Sequence, residues 1–259
     1  MKCIVFGHSH MTTMLAAARN RESVAADLGV EFRLVQFPWL KAVIPSFHRT
    51  VDRGVIANDA LMLALEQAGL YDAGEVVLCS VVTGNDNHVL GMLRNERPFD
   101  FILPCEPHLP FEKGAELICY DAVETTLRNR IESWLPFLVV LKGMGKRVIQ
   151  IESPPPIGDD AVVAARLDPF FKTLSDAPKI APRNLRYKFW RALSIATRSA
   201  CAENGIEYLP APTIMQDGSG FLSEPGWYTD ATHGSPAYSE AVLRGLKEFL
   251  QPREGALNL

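Results

Sequence analysis

The sequence predicts an α/β protein with a mostly parallel sheet and helices on both faces. Three observations carry that reading. Short apolar runs of strand length alternate with helix-like segments along the whole chain, the pattern of strand–helix–strand crossovers. Two of those runs end in polar clusters, the first after a glycine, at the strand edge where open α/β sheets bind ligands. The 259 residues, 47% hydrophobic and 22% charged, are enough for one sizeable core. The chain therefore reads as a single domain over residues 1–259, with 251–259 a fraying tail.

The elements follow in order. Cys3 to Phe6 is a buried strand that breaks at Gly7. Residues 11–28 carry alanine and leucine with charges to one side and read as a helix ended by Gly29. Residues 31–36 alternate as a second strand. Residues 37–53, with two prolines and three aromatics, are too long for a simple connection and suit a binding loop or lid. Asn58 or Asp59 caps a helix over 60–68, closed by Gly69. Residues 75–82 are apolar and β-branched, a central strand. Residues 99–103 form a further short strand. One long helix is expected over 121–142, kinked at Pro136. A strand at 147–151 runs into the stiff Pro154-Pro155-Pro156 turn, and 157–182 is mixed. Residues 185–204 are an amphipathic helix, 206–209 the last strand, and Pro236–Leu250 a helix with proline in its first turn.

Composition narrows the function. A net charge of −4 gives no basic surface for nucleic acid or anionic lipid. No apolar stretch is long enough for a bilayer. His8, Ser9 and His10 interrupt the N-terminal apolar run, which argues against a signal peptide. The five scattered cysteines lack metal-ligand spacing and suit reduced thiols in the cytoplasm. A single glycine at the first turn is weak support for dinucleotide binding.

Three polar clusters remain: 7–10, 84–88 and 230–233. Parallel strands bring the first two to one edge. Ser9, at the start of a helix, has its hydroxyl and nearby N–H groups placed for a negative charge forming on a substrate. Asp230, three residues before His233 and just ahead of a helix, can share a cleft with it. His233 could then accept the Ser9 proton while Asp230 orients the ring. Asn85 offers an amide donor to an oxyanion. Each residue alone has an ordinary structural reading: Ser9 a cap, Asn85 and Asp230 turn formers, His233 a surface residue. Those readings do not account for the order of all four.

On these residues the chain resembles the SGNH (GDSL-type) hydrolase superfamily. Ser9 matches its nucleophile, Asn85 its oxyanion asparagine, and Asp230 and His233 its C-terminal Asp-x-x-His block. His8 stands where aspartate is usual. Gly84 directly precedes Asn85, so Asn87 competes for the oxyanion role, and Gly54 is the candidate second-block glycine. The resemblance implies a flavodoxin-like three-layer α/β/α sandwich and hydrolysis of an ester or acetyl group through an acyl-serine, with no cofactor. The substrate would be a small-molecule ester or an acetylated carbohydrate, with His8, His88 and Trp227 lining its cleft. Gly7-His8-Ser9-His10-Met11 also resembles the G-x-S-x-G elbow of α/β-hydrolases, but Met11 replaces the final glycine and the serine follows the first strand. Two other readings stay open. One is a metal-dependent hydrolase liganded by His8, His10, Asp230 and His233. The other is a non-catalytic binder of a glycan or nucleotide sugar. His10 reads as an ordinary helix-start residue.

Overall fold

The computed structural model describes residues 1–19, 30–37, 46–52, 54–83, 86–174 and 178–251. Strand β1 (Lys2–Gly7) leads to α1 (Met11–Arg19) and β2 (Glu31–Gln36). The end expected for the first helix, near residue 28, lies outside the described residues. The stretch expected to be a binding loop or lid contains β3 (His48–Val51), which pairs antiparallel with β4 (Gly54–Ala57) just beyond it; residues 38–45 lie outside the description.

Helix α2 (Asp59–Gln67) starts where the Asn58 side chain accepts from the Ala60 and Leu61 N–H groups. Gly69 follows it at φ +97°, a backbone conformation that L side chains rarely adopt. Strand β5 (Val76–Val81) is buried throughout. Helix α3 (Asp86–Gly91) takes up part of the polar cluster over 84–88. The short strand expected over 99–103 is β6 (Phe99–Asp100), which pairs with β7 (Glu116–Leu117) away from the main sheet.

The single kinked helix expected over 121–142 is two helices, α4 (Tyr120–Ile131) and α5 (Leu135–Gly143). Pro136 lies in the first turn of α5, where its missing N–H costs no helical bond. The chain turns through residues 132–134, and Trp134 is buried at the break. Beyond come β8 (Arg147–Ile151), the short helices α6 (Asp160–Ala165) and α7 (Pro169–Thr173), α8 (Arg183–Glu203), β9 (Glu207–Leu209) and α9 (Pro236–Leu250). Ser235 caps α9 by accepting from the Tyr238 N–H.

The five-stranded sheet has the order β2-β1-β5-β8-β9 and is parallel throughout. This is the doubly wound order in which the chain reverses direction between β1 and β5, leaving a crevice at their carboxyl ends. Alternating side chains serve two cores. Ile4, Phe6 and Leu78 pack with α2, α4, α5 and α8 on one face. Cys3, Val5, Val77 and Cys79 pack with α1 and α9 on the other. The result is the expected three-layer α/β/α arrangement. Gly7 lets β1 and β5 approach at the crevice. A Cβ there would stand 2.4 Å from Val81 Cγ2 and 3.1 Å from the Val81 carbonyl oxygen.

Candidate active site

The crevice collects residues from both ends of the chain. Ser9 lies between β1 and α1, and the Ser9 carbonyl accepts the Thr12 N–H at 3.0 Å. Its hydroxyl lies 2.8 Å from His233 Nε2, although 224 positions separate the two in sequence. The opposite ring nitrogen, Nδ1, is 3.0 Å from each Asp230 carboxylate oxygen. With the proton on Nδ1, that group donates to Asp230 and leaves Nε2 to accept from Ser9.

The short spacing of the C-terminal block explains its rigidity. Asp230 Oδ1 accepts the backbone N–H groups of Thr232 and His233, both at 2.9 Å, and the Thr232 hydroxyl at 3.1 Å. The turn is therefore wrapped around the carboxylate. Burial pushes the Asp230 carboxyl pKa up, but the hydrogen bond and charge of His233 and these two N–H groups outweigh it and hold the pKa well below the usual range. Asp230 thus stays ionised wherever His233 needs orienting. Thr232 was not singled out in the sequence; its place between two site residues was the available signal.

The remaining candidates divide. His88 is buried on α3, and its pKa is pushed down to about 3 by burial first, then by His233 and Arg186, with Asp230 opposing. It is thus a neutral group within electrostatic reach of the pair. Trp227 bridges Gly234, next to His233, and donates its indole N–H to the Leu222 carbonyl. His8 turns away from Ser9 into the core, packing on Phe37 and Phe47 at centroid distances of 5.8 and 5.0 Å. It is 8% exposed. Burial brings its pKa down to about 4, and neither ring nitrogen has a hydrogen-bond partner among the described residues. His8 is thus held in place by aromatic packing.

Gly54 opens β4 in the exposed hairpin with open space around it, and no described contact joins it to Ser9. Asn85 lies outside the described residues. Asn87 is 2% exposed, and its amide oxygen and nitrogen have no partner among the described residues. His10, expected to be a plain helix-start residue, instead lies against His233 with ring centroids 4.7 Å apart. The four residues of the metal reading are not gathered as ligands: His8 faces the phenylalanines and both His233 nitrogens are engaged by Ser9 and Asp230. Among the described residues no cluster of three or more His, Cys, Asp or Glu is placed to hold an ion.

The fold and the side chains of Ser9, His233 and Asp230 define a parallel α/β protein with a hydrogen-bonded serine–histidine–aspartate set at its switch-point crevice. Its structural neighbours over nearly the whole chain are SGNH/GDSL-like hydrolases and esterases. They include a GDSL-like lipase from Bacteroides thetaiotaomicron, with 10% identity, TM-score 0.49, and coverage of 96% of this chain and 86% of that one. A putative SGNH hydrolase from Slackia heliotrinireducens gives 14%, 0.45, 97% and 99% on the same measures. A carbohydrate acetylesterase from Sinorhizobium meliloti gives 11%, 0.45, 96% and 97%. At this level of likeness the chemical reading rests on the site's own geometry. No family model matches the chain. In sequence it is 30% identical over 103 residues to a glycine dehydrogenase (decarboxylating) from Yersinia enterocolitica, and 30% over 101 residues to one from Serratia proteamaculans. The matches cover 40% and 39% of this chain but only 9% and 8% of those proteins, so the chain spans less than a tenth of their length. Among the described residues no helix is long and apolar enough to cross a membrane.

Proposed function

We propose that the protein is a serine hydrolase that cleaves an ester or acetyl group of a small molecule or carbohydrate through an acyl-serine intermediate. The observation that supports this is the continuous relay, Ser9 Oγ to His233 Nε2 at 2.8 Å and His233 Nδ1 to Asp230 at 3.0 Å. In this scheme Ser9 Oγ attacks the substrate carbonyl while His233 Nε2 takes its proton, a contribution of ~10²–10⁴ in rate. Asp230, already ionised, offsets the charge of the imidazolium. The oxyanion is held by the Ser9 N–H and by an asparagine amide. Asn85 is the first assignment, and the unpartnered amide of Asn87 makes it the competitor. His233 returns the proton to the departing alcohol, and water then takes the place of Ser9 in the reverse sequence.

The test is Ser9→Ala with p-nitrophenyl acetate and a fluorophosphonate label. Wild type should turn over the ester and take one label at Ser9; the variant should do neither while unfolding at the same temperature. A fully active Ser9→Ala protein would remove the nucleophile and the reading with it.

A further inference from the structure

We infer that His10 is a positioning residue for His233, the surface that keeps the ring in line with Ser9. What the positioned ring accomplishes depends on the serine-hydrolase reading; the placement itself does not. Two hydrogen bonds, to Ser9 and to Asp230, hold the two opposite nitrogens of the His233 ring. They fix its ends but leave it able to rock about the line between them. A ring packed against it restricts that motion. His10 is that neighbour, with ring centroids at 4.7 Å and planes inclined by 56°, within the contact range of paired rings.

His10 is itself firmly held. It is 8% exposed. Its carbonyl accepts the Thr13 hydroxyl at 3.2 Å, and the Thr13 oxygen accepts in turn from Ser239 Oγ at 2.9 Å. Thr13 is on α1 and Ser239 on α9. The two histidines therefore stand at the amino ends of two helices that are pinned together. His10 also lines a small, partly open pocket of about 20 Å³, together with Thr83, Glu152, Ser153 and Tyr238. A polar-edged imidazole suits that lining as well as packing against His233.

The test compares wild type with His10→Ala and His10→Phe. The readouts are p-nitrophenyl acetate turnover, thermal unfolding, and the imidazole N–H resonances of His233 by NMR. His10→Ala should lower kcat by ~10²-fold, the usual effect of a small displacement of a reacting group, and leave KM nearly unchanged. His10→Phe restores the face and should recover most of the loss. If His10→Ala does not fold, His10→Leu replaces it, filling the space without a ring. An unchanged kcat without the ring, or no recovery with phenylalanine, overturns the inference. If wild type shows no turnover and no Ser9 label, the hydrolase reading has failed separately. The positioning is then judged on the spectrum. The Nδ1–H signal of His233 should be sharp in wild type and His10→Phe and broadened in His10→Ala, and an equally sharp signal in His10→Ala overturns it.

Discussion

Asp230→Asn isolates the electrostatic half of the relay because the replacement keeps the shape of the side chain. An asparagine oxygen in place of Oδ1 can still accept the N–H groups of Thr232 and His233, so the turn should persist. The other carboxylate oxygen, 3.0 Å from His233 Nδ1, becomes an NH₂ donor. The retained oxygen also lies 3.0 Å from Nδ1, but it is already shared among the Thr232 and His233 N–H groups and the Thr232 hydroxyl. The new NH₂ donor therefore biases Nδ1 toward accepting, and in that tautomer Nε2–H faces Ser9 Oγ where a base is required. Reversal of the tautomer in such a relay costs ~10⁴-fold in kcat. That is about 5.4 kcal/mol of barrier at ~1.36 kcal/mol per factor of ten. Stability should fall by much less, about 1.5–3 kcal/mol, the worth of hydrogen bonds to a charged group. The sign with pH follows from the depressed Asp230 value. Its stabilisation is complete above the ordinary carboxylate range and disappears as pH falls through the lower folded value. The assay is kcat for p-nitrophenyl acetate at neutral pH beside urea unfolding. A variant that folds and retains wild-type kcat would show that His233 does not depend on Asp230 and would refute the reasoning.

Two more predictions concern the first strand and its turn. His8 and His88 are held near 4 and 3 in the fold, but each takes a proton near pH ~6.5 in the unfolded chain. Stability should therefore decline as pH falls below ~6.5, by up to ~1.36 kcal/mol per pH unit for each ring until the native ring also protonates. His8→Phe removes one of these contributions, so its urea midpoint should fall less steeply than that of wild type over this range; parallel slopes would contradict the buried, neutral His8. Gly7→Ala forces a methyl against Val81 and should cost about 1–3 kcal/mol and lower kcat by displacing Ser9. Adding Val81→Ala should recover part of both, and no recovery would mean that the β1–β5 approach does not set the position of Ser9.

The elements that the sequence displays most openly are those with a local cause. Strand β5 is a run of apolar residues buried on both faces, and α9 begins with a serine cap and a proline in its first turn, so its limits are found to the residue. The β3–β4 hairpin was hidden because both strands are short and mostly exposed, with no alternation to read. The separation of α4 from α5 was hidden because residues 131–135 have no helix-breaking glycine; the burial of Trp134 and the placement of Pro136 two residues later decide it. Helix α3 begins in aspartate and asparagine, Asp86 and Asn87, residue types that favour turns when no tertiary contact intervenes. The same division applies to the site. The positions of Ser9, Asp230 and His233 follow from local spacing at strand and helix ends. The position of His10 depends on a partner from the other end of the chain, and the inward turn of His8 depends on Phe37 and Phe47.

The meeting of the two chain ends has its cause in the apolar layer beneath them. Met11 and Met14 of α1 and Val242, Leu243 and Leu246 of α9 belong to one buried cluster over the same face of β1 and β5. The two helices lie side by side, and the residues that precede them, Ser9 and His233, arrive together at the carboxyl edge of the sheet. The Thr13–Ser239 hydrogen bond pins the pair laterally, and Gly7 sets how closely β1 approaches β5. The 2.8 Å contact is therefore carried by regular elements, with the turns adding only the final two or three residues. That arrangement suits a reaction whose rate depends on holding two atoms in line. It also explains how a site assembled from short and individually weak motifs is specified by the pattern of the core.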